Sequence, residues 1–237
     1  MRYFYSGTAL VLLVLMFLGF QQYYLHGKAF PGRDIAPPLR TLVLLHATVM
    51  TAWVVLFLVQ PLLIARGSYR VHMAVGRFGA VLAACIVVLG LMIGIQGTMA
   101  TPPEVRIWGV TPRQFMAVPV VSVVIFGVFV AVGVYFRRRP EIHRPMMLMA
   151  TLIVIPAAVA RIGPLNALYE DSVLQRIFGP FLWTLVLATL LVVIRWLGTR
   201  SVGRWFAIVY GCLVVSSLLI WWTATTAAWD RFATLLL

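Results

Sequence analysis

Four histidines, His26, His46, His72 and His143, are the side chains of this sequence best suited to chemistry. An imidazole can ligate a metal, carry a proton or hydrogen-bond a carbonyl near neutral pH. Two of the four follow a common pattern. His72 and His143 each lie in or beside an arginine-rich segment, just ahead of a long apolar run. A six-coordinate b-type haem needs two imidazoles at one depth on facing helices, and this pair meets the depth condition. His72 and His143 are therefore the candidate ligands of a haem b iron. Arg70 and Arg77 flank one, Arg139 and Arg144 the other, and these guanidinium groups could hold propionates in bidentate fashion.

The faces that these histidines head are informative. On a helix starting near His72, its face carries Gly76, Gly79, Ala83, Ile86, Gly90, Gly94 and Gly97. So bare a stripe admits either a second helix backbone or a flat cofactor, and Gly90 with Gly94 makes a GxxxG pair. The His143 face holds Met147, Ala150, Val154, Ala157 and Arg161. Arg161 is five turns on, about 27 Å along the axis. It either snorkels to headgroups or faces inward and binds an anionic group. Pro156 is expected to kink the helix between them. His46 opens a third stripe, with Met50, Trp53, Phe57 and Gln60. Its two readings are a structural hydrogen bond and a ligand or quinone contact. Met116 is one conceivable partner for it, whereas His26 falls in a loop.

Other chemistries fare badly. There is no CxxCH for covalent haem and no HExxH. The apolar runs contain no Asp, Glu or Lys, which disfavours ion-coupled transport and a retinal Schiff base. Cys85 and Cys212 fall within apolar runs, so a disulfide is not expected. Met146, Met147 and Met149 read as core rather than copper ligands.

The elements that must position these residues follow from composition. Of 237 residues, 62% are hydrophobic and 11% charged, against about 45–50% and about 25% in soluble domains. Seven apolar runs stand out, at Ser6–Tyr24, Thr41–Ala65, Phe78–Gly97, Phe115–Phe136, Met146–Ile162, Phe181–Ile194 and Phe206–Thr225. The expected fold is all-α, an integral membrane bundle of seven transmembrane helices in one domain, 1–237. The first run lacks a small-residue cleavage site and reads as an uncleaved span.

Nineteen basic residues against six acidic ones give +13. Their placement in short loops argues for membrane orientation and against nucleic acid. Arg2, Arg66, Arg70, Arg77, Arg137, Arg138, Arg139, Arg144, Arg195, Arg200 and Arg204 share one side. Five acids, Asp34, Glu104, Glu170, Asp171 and Asp230, fall on the other. The N-terminus is then cytoplasmic and the C-terminus periplasmic, in a bacterial inner membrane. The loops of the outer side also carry Pro31-Gly32, Pro37-Pro38, Pro102-Pro103 and Gly163-Pro164, read as turns. Three hairpins turn through arginine-rich loops, which hints at an internal repeat.

Short motifs carry a resemblance. His46-x3-Met50-x2-Trp53, Gln60-Pro61, and His72 with Gly76-Arg77 make one half. Arg139-Pro140-Glu141-x-His143-Arg144, Met147, Ala150-Thr151, Ala157-Ala158 and Arg161 make the other. Together they resemble an uncharacterised family of bacterial multi-pass inner-membrane proteins, a domain of unknown function, over roughly the second to fifth spans. This resemblance implies a class and no mechanism. A looser analogy is to cytochrome b561-like haem proteins, whose ligands lie on four consecutive spans. Here no His falls on the fourth span, so an outer haem is not expected.

Three functions are carried forward. The first is a b-type haem or quinone-linked electron-transfer protein, with His72, His143, His46, Arg77, Arg144 and Arg161 as candidate cofactor-binding residues. The second is a non-catalytic accessory subunit of a larger membrane complex. The third is a transporter or small-molecule binder. Membrane lipids are expected contacts of all three.

Overall fold

A computed structural model describes residues 3–30, 33–35 and 37–237; Arg2 and the Pro31-Gly32 turn lie outside the described residues. Long apolar runs leave the backbone no partner but itself, so they form helices. The main helices are α1 (Phe4–Gly19), α2 (Arg40–Ala65), α3 (Tyr69–Met99), α4 (Ala117–Tyr135), α5 (Pro140–Val154), α6 (Leu182–Thr199), α7 (Arg204–Ala224) and α8 (Ala227–Leu236). Among the described residues, six stretches are long and apolar enough to cross a membrane. They are Pro37–Ala65, Tyr69–Met99, Pro112–Tyr135, Pro140–Val159, Val173–Thr199 and Arg204–Ala224. The chain is a multi-pass helical membrane protein.

The first apolar run behaves differently. α1 has 16 residues, about 24 Å of rise against a hydrocarbon core of about 30 Å. It breaks at Phe20, and a short helix follows over Gln21–His26. Two expected turns are helix starts instead. Pro37-Pro38 opens a 3-10 turn leading into α2, and Gly163-Pro164 opens a short helix over Gly163–Asn166. Proline is tolerated there because the first helical N–H groups lack partners anyway. The break expected at Pro156 is present: α5 stops at Val154 and a short helix resumes at Pro156.

α5 is the axis of the bundle. Leu148, Met149, Ala150, Leu152 and Ile153 have no exposed surface. It packs against α4 and α7; α4 packs on α3, α3 on α2, and α2 on α1. Trp53 of α2 fixes one crossing. Its Nε1 donates to Thr151 Oγ1 at 3.2 Å, and its ring meets Phe126 edge-on at 5.0 Å.

Glycines set the closest approaches. Gly79 faces Leu56, Gly90 faces Val123 and Gly94 faces Val120. A Cβ at Gly19 would run into the Ala158 carbonyl. The outward faces stay apolar, with Val81, Val88, Val128 and Leu219 exposed, as lipid contact requires.

The end remote from His72 is an aromatic layer. Trp108 packs on Tyr169 at 5.6 Å, and Tyr169 donates to the Gly179 carbonyl at 3.0 Å. Burial pushes the Tyr169 phenol up. Trp183, Trp221 and Trp222 donate to the carbonyls of Leu165, Arg176 and Ile177. Rings with an apolar body and one bonded polar tip are the composition of a membrane interface. α8 closes this end: Trp229 donates to the Arg113 carbonyl at 3.1 Å, and Arg113 pairs with Asp230 at 3.8 Å.

Candidate functional site

The arginine-rich turns gather at one end of the bundle. α2 returns as α3 through Arg66–Gly67–Ser68, where Gly67 has φ +74°. α4 returns as α5 through Arg137–Arg139, and α6 as α7 through Arg200–Gly203. Gly67 and Gly203 take positive φ, which makes these reversals tight.

At this end α3 and α5 bring His72 and His143 together. Their ring centroids are 6.4 Å apart and the planes are perpendicular. His143 Nδ1 donates to the Gly133 carbonyl of α4 at 2.8 Å. A carbonyl only accepts, so the proton sits on Nδ1 and the Nε2 lone pair is presented. A Cβ at Gly133 would crowd Met147 Sδ at 3.0 Å and Met146 Cβ at 3.2 Å, so this position favours glycine. His72 Nδ1 itself is buried without a hydrogen bond, although the imidazole also interacts with the Gln60 backbone. Both ends of the Gln60 amide are also buried and unpartnered, and the amide nitrogen lies near Gly76, one turn from His72. Buried polar atoms are rarely left unmatched, so this cluster has room in its bonding for a further group.

The arginines divide between two places. The charge of Arg144 acts on both imidazoles, and with Arg195 on the Tyr5 hydroxyl of α1. Arg195 also stacks over the Phe206 ring at 5.0 Å. Arg77 is five residues beyond His72, about 140° around the helix. It lines a separate groove of about 500 Å³ with Arg70, Met73 and Arg137.

The remaining candidates are elsewhere. His46 is on the other half of α2, its Nδ1 buried and unpartnered. Arg161 is beyond the Pro156 break. Its side chain is exposed, lies over the Phe20 ring at 4.7 Å and donates to the Ala157 carbonyl. His26 is exposed.

A haem b fits this end in its donors. Two iron–imidazole bonds of about 2 Å place the ring centroids of a shared ligand pair roughly 6 Å apart. The orphaned His72 Nδ1 and the fixed His143 tautomer suit such ligation. The glycine stripe does not serve as its bed, because Leu56, Val123 and Val120 already fill Gly79, Gly90 and Gly94. Gln60, Gly133, Tyr5 and Arg195 also surround this pair, and helical spacing from either histidine does not point to them. Gln60 left a trace, as a polar residue before Pro61 in an apolar run; a backbone carbonyl such as that of Gly133 leaves none.

No family model, curated protein or solved structure matches this chain.

Proposed function

We propose that this chain is a bacterial inner-membrane electron-transfer protein that holds one haem b between His72 and His143. The observation that carries the reading is the 6.4 Å separation of two imidazoles from different helices. Bound there, the haem supplies a one-electron ferric–ferrous couple. The chain's own residues do the rest. His72 and His143 would be the residues that hold the iron. The Gly133 carbonyl fixes the His143 tautomer and raises its basicity as a ligand. Arg144 offers a cation to a propionate and opposes loss of an electron from the site. Quinone in the bilayer is the electron partner.

The same reading takes α1 as a seventh span. Its composition and its packing on α2 support this, as does the short helix that extends it toward His26. With the arginine-rich end cytoplasmic, the C-terminus is periplasmic. The kinship proposed is with the uncharacterised inner-membrane family that the His46–Gln60 and Arg139–Arg161 motifs resemble.

The filled glycine seam favours a second reading, an accessory subunit in which the histidines are only packing partners at headgroup level. Titration of the purified chain with haemin separates the two. The redox reading predicts saturation at one haem per chain with a six-coordinate spectrum. Unsaturable, spectrally free haemin supports the accessory subunit.

A further inference from the structure

We propose that the groove lined by Arg70, Met73, Arg77 and Arg137 is a binding site for the phosphate of an anionic phospholipid. It does not depend on the haem reading. The argument begins with length. α3 has 31 residues, about 46 Å of rise, while the hydrocarbon core is about 30 Å thick. One or both ends must therefore stand in the headgroup layers. The arginine-bearing first turns, Tyr69 to Arg77, are the polar end. Arg70, Met73 and Arg77 recur at steps of three and four, so they share one face of those turns. Arg137, just past the end of α4, closes the groove from the other side.

The chemistry is one-sided. Three arginines line the groove with their stems, leaving their charged ends at the surface, and among the described residues none of them is in an ion pair. Arg137 makes one long contact to the Val134 carbonyl, at 3.4 Å. The helix adds to the same potential. Its N-cap Ser68 makes no side-chain hydrogen bond, so the positive end of α3 is not offset by a capping oxygen. Guanidinium forks match phosphate oxygens bidentately. The apolar half of the ligand is provided for as well. Met73 and Phe78 are each 61% exposed beside these arginines, where acyl chains meet the headgroups. A basic recess with an apolar wall, opening at headgroup level, suits an anionic phospholipid.

The test uses the full chain in neutral detergent, with unfolding followed by tryptophan fluorescence. Phosphatidylglycerol or phosphatidylcholine is added as mixed micelles. Phosphatidylglycerol should raise Tm by several degrees more than phosphatidylcholine, because a ligand of the folded state stabilises it. The triple variant Arg70→Gln, Arg77→Gln, Arg137→Gln should lose that difference. A control variant at the opposite end, Arg106→Gln with Arg176→Gln, should keep it. Inorganic phosphate at equal concentration should give no shift. Equal effects of the two lipids overturn the proposal, as does a triple variant that keeps the difference. A shift reproduced by phosphate alone overturns the lipid assignment. If the triple variant does not fold, native mass spectrometry of the unaltered chain decides. Phosphatidylglycerol adducts outlasting phosphatidylcholine adducts as collision energy rises support the site, and equal survival contradicts it.

Discussion

His143 and His72 differ in how they are held. One has its tautomer set by the Gly133 carbonyl and the other has a buried, unpartnered Nδ1. If both ligate one iron, His72→Ala and His143→Ala should each abolish or broaden the reduced α-band. His26→Ala should leave it unchanged, since that side chain is exposed at the end of the short helix Gln21–His26. A band that survives either ligand substitution contradicts the pairing. Arg161 belongs to a different account. Stacked on Phe20 at the surface, it should cost about 1 kcal/mol or less on Arg161→Ala. A loss of several kcal/mol in denaturant unfolding would show that it serves the interior. The histidine pair was legible in the sequence because both residues precede a returning apolar run. The break between His143 and Arg161 is legible as well, from Pro156 itself.

Helices here meet through glycine, and the positions can be told apart. Gly7 and Gly19 both lie on α1, but nothing lies within 4 Å of a Cβ at Gly7, whereas one at Gly19 would meet the Ala158 backbone. Gly7→Ala should be neutral or stabilising by up to about 1 kcal/mol, from helix propensity alone. Gly19→Ala should destabilise by about 1–3 kcal/mol, since a backbone cannot step aside as a side chain can. Similar unfolding midpoints for the two would contradict the α1 packing. The small-residue stripe of α3 was visible in the sequence, but not what fills it. Leu56, Val120 and Val123 come from other helices, and spacing within one helix does not reveal its neighbours. α8 does not stand out in the sequence because its 10 residues are too few and too polar to form an apolar run. Its only local mark is Thr226, whose side chain accepts from the Trp229 backbone N–H.

At the scale of the molecule, two features are legible from composition: apolar runs that become membrane-crossing helices, and arginines collected at one end. Topology tests the rest. A reporter active only in the periplasm, fused after Leu237, should be active if α1 spans and the arginine-rich end is cytoplasmic. Activity of a cytoplasm-only reporter at that point would overturn the span count or the orientation. The central claim concerns the histidine end, and one spectrum addresses it most directly. Purified from haem-replete cells, the chain is expected to give a dithionite-reduced minus oxidised difference spectrum with a sharp α-band of a six-coordinate b-type haem. A colourless preparation that still lacks the band after haem addition would contradict the claim.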